Sequence, residues 1–323
     1  MGSSPAPPSP EFLAVFRAAA GSGGTLTFAR FMELALYHPE VGYYRRDRPR
    51  VGRGRGTDFY TATSLGPVFG ELVAAACAHL LGDRDPGAHT FVEIGAEPGG
   101  GVLAGVAHPF GAVRTIGIGA APELSGDCVV FSNELFDAQP FARTVFRAGE
   151  WRQMGVALDG DRLVEIELPF DGGDVPAAEG YRFDRPLAAA EIAAGIAAQP
   201  WRGLFLAFDY GKTLAELRDH TPAGTARAYH RHQRSDDLLA RPGEQDLTCH
   251  VCWDWISAAL RRHGFTEPRI EFQETFLVRH AGPTLALATQ AEAGRLSARK
   301  LALLQLLHPA GMGQRFQALH ALR

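Results

Sequence analysis

Residues 90–101 read TFVEIGAEPGGG, a short apolar run that passes through an acid into a glycine-rich turn. A run of this kind is typical of the first strand of a parallel sheet. We predict that the turn joins this strand to a helix. The first N–H groups of that helix would be available to bind an anion. The stretch alone leaves three interpretations open: a dinucleotide site, an S-adenosylmethionine site or a plain tight turn.

Three further apolar runs have the length and composition of buried strands, at residues 113–118, 128–132 and 204–208. Since helical or irregular stretches separate them, we predict an α/β fold with a doubly wound, Rossmann-like sheet. Only residues 120–127 lie between the second strand of this sheet and the third. That segment is too short for a helix with both its connections, so we predict a loop there.

The chain before this sheet is predicted to form an N-terminal helical extension. Residues 11–20 have helical spacing, and Thr27 is placed to cap a second helix. Four prolines among the first ten residues predict disorder at the start. We therefore divide the chain into an extension of residues 1–24, mostly disordered or helical, and one domain of residues 25–323.

Elements with a different pattern are predicted within and after the sheet. Residues 141–168 alternate between apolar and polar side chains, which predicts an antiparallel, β-rich insertion at about residues 141–185. Residues 251–263 are predicted to be a helix, because a glycine stops their apolar pattern. Residues 269–278 are predicted to be a closing strand.

Composition excludes several classes of protein. The chain has 323 residues, 32 of them basic and 36 acidic, and a formal net charge of −4. This charge gives no bulk attraction to nucleic acid or to anionic lipid. No run approaches the roughly 18 apolar residues of a membrane span, and the opening does not resemble a signal peptide. We therefore predict a cytoplasmic protein without a nucleic-acid or membrane partner. Four cysteines are too few for a disulfide framework, and we predict no metal site.

Polar side chains follow the strand predicted at residues 128–132, at the edge of the sheet where ligands bind. Asn133, Glu134 and Asp137 supply an amide and two carboxylates there. Such groups can hold a sulfonium centre, an amine or a guanidinium, whereas the alternative is a helix cap with a solvated face. We predict the functional role for them.

Seven blocks of sequence, in the same order, resemble the MidA-like family of S-adenosylmethionine-dependent methyltransferases. This family includes the mitochondrial methyltransferase that assists complex I assembly. The blocks cover most of the chain and read FARFMELALYHP (28–39), TDFYT (57–61), NELFDAQP (133–140), FDYG (208–211), YHRH (229–232), PGEQDLTCHV (242–251) and MGQRF (312–316). The resemblance implies the methyltransferase fold.

The resemblance also implies a cofactor, a substrate and a set of site residues. The cofactor would be S-adenosylmethionine, and the methyl acceptor would be a protein arginine. The partner would be a protein substrate or assembly partner, such as a subunit of a respiratory complex. By position, the cofactor-binding residues would be Glu93, Gly95, Gly99, Gly101 and Asp209, and the catalytic residues would be Asn133, Glu134, Asp137 and Asp58.

Departures from the family pattern fall on the adenosine side of the expected cofactor site. Glu97 stands at the second glycine position, where its carboxylate would face the carboxylate of the cofactor, and Pro98 removes an N–H donor. Residues 115–119 lack the acidic residue that accepts hydrogen bonds from the ribose hydroxyls in such folds. Two hypotheses follow: a methyltransferase with an eroded cofactor pocket, or a pseudoenzyme that acts as a binding or assembly factor. The missing acid disfavours an NAD-dependent oxidoreductase.

Overall fold

The computed structural model of the chain describes residues 8–46, 52, 57–58, 62–98, 100–172, 176–294 and 296–323. The disorder predicted for the first residues of the chain and the cofactor role predicted for Gly99 lie outside the described residues. The chain forms two compact units, each made of three segments. Unit 1 comprises Met1–Phe59, Asp137–Ala189 and Lys212–Cys252, and unit 2 comprises Tyr60–Phe136, Ala190–Gly211 and Trp253–Arg323.

In the described residues, the α-helices are α1 (Pro10–Ala20), α2 (Phe28–Tyr37), α3 (Pro67–Leu81), α4 (Leu187–Ala197), α5 (Leu214–Asp219), α6 (Trp253–Arg262), α7 (Gln273–His280), α8 (Gly282–Ala291) and α9 (Ala298–Leu307). The strands are β1 (Thr25–Thr27), β2 (Thr90–Ala96), β3 (Ala112–Gly117), β4 (Gly126–Asn133), β5 (Ala142–Arg147), β6 (Glu150–Asp159), β7 (Arg162–Leu168), β8 (Arg182–Arg185), β9 (Trp201–Asp209), β10 (Gly211–Lys212), β11 (Arg227–His230), β12 (Gln233–Ser235), β13 (Asp246–Thr248), β14 (Val251–Cys252), β15 (Thr266–Phe272) and β16 (Gln317–Leu322).

A six-stranded sheet forms the centre of unit 2, in the order β15, β16, β9, β4, β2, β3. Strands β2, β3, β4 and β9 run parallel, whereas β16 runs antiparallel to both β9 and β15. The four parallel strands are those that the apolar runs predict. Their carboxyl ends meet at one edge of the sheet, which is where ligands bind in open α/β sheets.

The two faces of β9 show how the sheet is buried. Leu204 and Phe208 lie in a core that they share with α3, α7 and α9. Phe205 points to the opposite face, where its ring contacts Phe136 and also Phe265, which follows α6. Because apolar side chains are removed from water on both faces, β9 reads as a nearly continuous apolar run.

The connections on the β3 side of the sheet lack helices. Residues 118–125 form a loop between β3 and β4, which confirms the prediction made from the length of this segment. Between β2 and β3, the described residues 97–98 and 100–111 also form no helix, so the predicted strand-to-helix junction is wrong. Glycine and proline recur through this segment, and both destabilise a helix. A turn at residues 102–105 takes its place.

The carboxyl-terminal part of unit 2 differs from the predicted closing strand. Strand β15 is followed at once by α7, so the strand predicted over residues 269–278 is wrong in its second half. Phe276, Leu277 and His280 are buried at helical spacing. Strand β16, which lies inside the sheet between β15 and β9, was not predicted. Helix α6 confirms most of the helix predicted over residues 251–263, although its first residues form β14.

Unit 1 is built on antiparallel strands. One sheet has the order β1, β6, β5, β8, with β7 paired to β6, and a second has the order β12, β11, β13. Strands β5 to β8 fall in the segment that the sequence predicts to be β-rich. The hairpin of β5 and β6 turns at Ala148 and Gly149, which both have positive φ. Two central residues with positive φ are typical of a type I′ turn.

Helices α1 and α2 pack in an aromatic core within unit 1. The hydroxyl of Thr27 accepts the N–H of Arg30 at 3.2 Å and so caps α2, as predicted. Phe31 on α2 contacts the rings of Phe12 on α1 and Phe28. All three rings are fully buried, which explains why both helices are held in place.

The predicted fold class is confirmed: an α/β chain with a Rossmann-like sheet and helices. The division into an extension before residue 25 and one domain after it stays a prediction. In the described part of the chain, no helix is both long enough and apolar enough to cross a membrane.

Candidate functional site

The candidate site of unit 2 lies at the carboxyl ends of β2, β4 and β9. Ile94 pairs with Ser132, and Asn133 pairs with Phe208, so the three strands end at nearly the same level. The site residues that the sequence predicts on these strands are thereby brought together along one edge. Strand β3 reaches the same edge and ends at Gly117 without an acid.

Asn133 and Glu134 form the polar end of β4. The amide Nδ2 of Asn133 donates to Oε1 of Glu134 at 2.9 Å. Among the described residues, no donor reaches Oδ1 of Asn133, which is buried. Glu134 has a φ of 53°, and its N–H donates to the carbonyl of Phe208 at 2.9 Å. A left-handed backbone costs a non-glycine residue about 1 kcal/mol, so the end of β9 holds Glu134 in an unfavourable conformation.

Asp209 fixes the turn that carries these residues. It is fully buried, and its two carboxylate oxygens accept the N–H groups of Phe136 at 2.9 Å and Tyr210 at 2.8 Å. A carboxylate that accepts backbone N–H groups in a buried site joins the end of β9 to the segment after β4. The structure thus gives Asp209 a positioning role beside the predicted cofactor role.

Gly95 marks a break in the register at the end of β2. The pairing with β3 shifts between Ile94 and Ala96, and Gly95 has a φ of 81°. A β-carbon built on Gly95 would lie 3.0 Å from Cδ1 of Leu135. Both the backbone conformation and the space therefore favour glycine here.

Glu93 lies beneath the loop that follows β2. It is 6% exposed, and its Oε2 accepts the N–H of Val102 at 2.6 Å. Burial raises the pKa of Glu93 to about 7, although the hydrogen bond from Val102 acts in the opposite direction. A β-carbon built on Gly101 would lie 2.2 Å from Oε2 of Glu93, so the backbone of Gly101 covers the carboxyl group.

Asp58, predicted to be catalytic, is fully buried within unit 1. Its Oδ2 accepts the hydroxyl of Tyr43 at 2.8 Å, and its Oδ1 accepts the N–H of Arg231 at 2.9 Å. Its carbonyl accepts the N–H of His232 at 2.8 Å. Arg231 and His232 both have positive φ and form the turn between β11 and β12. Asp58 therefore stabilises this turn, whatever further role it has.

Asp137 belongs to a cluster of acids and tyrosines in unit 1. It is buried, and its carbonyl accepts the N–H of Cys249 at 3.0 Å. Burial raises the pKa of Tyr37, and the charges of Asp246 and Asp137 raise it further. The hydroxyl of Tyr44 donates to Oδ1 of Asp246 at 2.9 Å. Sequence reasoning missed the role of these partners, although Tyr37 and Asp246 lie in blocks that carry the family resemblance.

The predicted site residues are divided between the two units. Unit 2 holds Glu93, Gly95, Gly101, Asn133, Glu134 and Asp209, and unit 1 holds Asp58 and Asp137. Within unit 2, the end of β4 meets the end of β9, and Glu93 meets Gly101. Their roles toward a cofactor or substrate stay predictions.

Comparison with known proteins defines the class of the fold. The chain has the fold of S-adenosylmethionine-dependent methyltransferases. Residues 118–270 match the model of a family described as "Putative S-adenosyl-L-methionine-dependent methyltransferase". That match includes the ends of β4 and β9. No protein of curated function matches the chain.

Two solved structures, both of proteins from Burkholderia thailandensis, resemble the whole chain. The first is a candidate methyl transferase bound to S-adenosyl-homocysteine. It is 26% identical, with 99% of this chain and 95% of that chain covered and a TM-score of 0.84. The second, an uncharacterized protein in its native form, is 26% identical with the same coverage and a TM-score of 0.81. The MidA-like resemblance stays a prediction beside these findings.

Proposed function

We propose that this protein is an S-adenosylmethionine-dependent methyltransferase that methylates arginine side chains of a protein. The observation that carries the methyltransferase part is the likeness, over 99% of the chain, to a structure bound to S-adenosyl-homocysteine. That molecule is what remains of S-adenosylmethionine after methyl transfer. The arginine part rests on the MidA-like resemblance and on the carboxylate of Glu134.

The edge of the unit 2 sheet fits one portion of this cofactor better than the other. The buried Oδ1 of Asn133 is an acceptor that a donor of the methionine portion would satisfy. Gly95 allows the backbone of β2 to approach a ligand closely. On the adenosine side, β3 ends without an acid at Gly117, so we propose an altered pocket there. Asn133, Gly95 and the backbone after β2 would hold the cofactor.

S-adenosylmethionine supplies a methyl group bonded to a positively charged sulfur. Glu134 is proposed to bind and orient the acceptor, because a carboxylate holds a guanidinium by charge-assisted, sometimes bidentate hydrogen bonds. Asn133 keeps that carboxylate in place through the hydrogen bond of 2.9 Å from its Nδ2. Glu134 is also placed to accept the proton that the attacking nitrogen loses.

A binding or assembly factor without turnover is the second hypothesis from the sequence, and the comparisons do not favour it. We propose a protein partner in either case, drawn from a respiratory complex as the resemblance implies. A cytoplasmic location is part of the same proposal. We propose that the protein does not bind nucleic acid or a membrane.

The first test is a calorimetric titration with S-adenosylmethionine and S-adenosyl-homocysteine. A methyltransferase should bind both in the micromolar range, which corresponds to about −8 kcal/mol. Transfer of a labelled methyl group to arginine-containing peptides, with lysine-containing peptides in parallel, then tests the acceptor. Absence of binding up to millimolar concentration would contradict the proposal, and methylation of lysine instead would contradict the acceptor.

The second test is the variant Glu134→Gln. It should lower methyl transfer about tenfold or more, because a neutral amide loses the charge-assisted bond to the acceptor, while cofactor binding should persist. The matched control is Asp127→Asn, which removes a carboxylate from the amino end of the same strand, where Asp127 pairs with Arg202. The control should keep full activity. Full activity in folded Glu134→Gln protein would exclude Glu134 from the site.

A further inference from the structure

A cluster of one carboxylate and two histidines lies elsewhere in unit 2. Oε1 of Glu271 is 3.0 Å from Nε2 of His280 and 3.1 Å from Nε2 of His320. The three atoms all lie within 4.8 Å of one another. His280 is 9% exposed and His320 is 7% exposed, so both rings are buried. Glu271 lies 9 residues before His280 and 49 residues before His320, and no metal site is predicted from the sequence.

The fold explains why these residues converge. Glu271 pairs with Ala318 across β15 and β16, so Glu271 and His320 lie on the same face of the sheet as diagonal neighbours. Helix α7 starts directly after β15 and ends at His280, over the same face. The ring of Phe276 contacts the rings of both histidines and keeps them in place.

Further side chains orient the cluster from outside. A guanidinium nitrogen of Arg279 lies 2.7 Å from Oε2 of Glu271, and Oε1 faces the two histidines. Nδ1 of His280 lies 3.2 Å from Nδ1 of His79 on α3. Histidine ligands of a metal typically donate their second ring N–H to a neighbouring acceptor, and this contact provides one.

We propose that Glu271, His280 and His320 bind one divalent first-row transition-metal ion, with zinc as the probe. Imidazole nitrogen and carboxylate oxygen are the ligands that zinc takes in proteins. This inference goes beyond methyl transfer, because the cluster shares no residue with the candidate site. By binding one side chain from each, the ion would cross-link β15, β16 and α7.

In the metal-bound form, the rings of His280 and His320 would both carry their proton on Nδ1. The Arg279 charge opposes the cation and weakens the site.

The test uses the full chain without a polyhistidine tag, treated with a chelator and then titrated with zinc chloride. Calorimetry should show one ion per chain, and a metal analysis of untreated protein should show the same ratio. Glu271→Gln and His320→Gln should each bind zinc at least about 100-fold more weakly. The control is His220→Ala, an exposed histidine of unit 1 that should bind as wild type. Zinc should raise the melting temperature of the wild type and of the control, but not that of the two ligand variants.

Two results would overturn the proposal: no stoichiometric binding by wild type, or equal binding by the folded Glu271→Gln variant. Either would leave a hydrogen-bonded trio of Glu271, His280 and His320. If both variants fail to fold, crystals of wild type soaked in zinc decide the question by anomalous scattering. A peak between the three side chains supports the site, and peaks elsewhere alone reject it.

Discussion

Glu93 combines burial with an ionisable group at the edge where a ligand is expected. The residue is 6% exposed, and its carboxyl group is covered by the backbone of Gly101. The N–H of Val102 satisfies one oxygen. An ionised carboxylate in such a place has lost most of its hydration, and the raised pKa is the measurable consequence. The same group is predicted to line the cofactor site, so its charge matters for function as well as for stability.

Replacing Glu93 by glutamine should stabilise the protein above neutral pH. Burial raises the pKa of Glu93 from 4.5 to about 7, so ionisation of the folded state is unfavourable by about 3 kcal/mol. This destabilisation is absent below pH 4.5, where the group is protonated in both states. It grows as the pH rises and is complete above about pH 7. Glutamine has no such dependence.

Urea unfolding at pH 4.5 and pH 8 measures this effect. The gain in unfolding free energy of Glu93→Gln over wild type should be larger at pH 8 by roughly 2–3 kcal/mol. Glu191→Gln, an exposed position on α4, is the control and should show no such difference. Equal effects of Glu93→Gln at both pH values would mean that the carboxyl group titrates normally.

Strand ends and turns show which elements depend on single polar groups. The turn between β11 and β12 needs positive φ at Arg231 and at His232, a conformation that is uncommon for residues other than glycine. Asp58 compensates by accepting the N–H of Arg231, and its carbonyl accepts the N–H of His232. The hairpin is therefore fixed from outside its own sequence.

Asp58→Ala should destabilise unit 1 by on the order of 3 kcal/mol, because it leaves the buried hydroxyl of Tyr43 and the N–H of Arg231 without their acceptor. Denaturant unfolding measures the loss, and amide exchange at Arg231 should become faster. Asp171→Ala, at an exposed position of the same unit, should have little effect. If Asp58→Ala were fully stable yet inactive in methyl transfer, the predicted catalytic role would stand and the structural role would not.

The strands, loops and helices also show how much of the fold the sequence could predict. Strands β2, β4 and β9 were predictable because their apolar runs are local, and so was the loop at residues 118–125, because its length excludes a helix. The absence of a helix after β2 was not predictable, since a glycine-rich turn after a strand usually leads into a helix. β16 was missed because its residues alternate little and its partners, β9 and β15, are distant in the chain. Glu271 and His320 converge only through that pairing, and His280 lies beside them because α7 directly follows β15.

At the scale of the whole chain, the residues proposed to hold the cofactor share one unit. Gly95 and Asn133, with the positioning residue Asp209, lie at the ends of three neighbouring strands of unit 2, although one long segment of unit 1, residues 137–189, lies between Asn133 and Asp209 in sequence. A stable site at this edge therefore depends on pairing between strands, which folding of the sheet provides. Unit 1 supplies its own buried acids, Asp58 and Asp137.

This division predicts how S-adenosyl-homocysteine changes local stability. A ligand at 100 times its dissociation constant stabilises the folded state that binds it by about 2.7 kcal/mol, which slows amide exchange through unfolding roughly 100-fold. Hydrogen exchange should therefore slow most at the carboxyl ends of β2, β4 and β9. The hairpin of β6 and β7, which holds none of the proposed cofactor residues, serves as the internal control and should change least. Protection confined to that hairpin would place the ligand outside the edge of the unit 2 sheet, and the roles proposed for Gly95 and Asn133 would then be wrong.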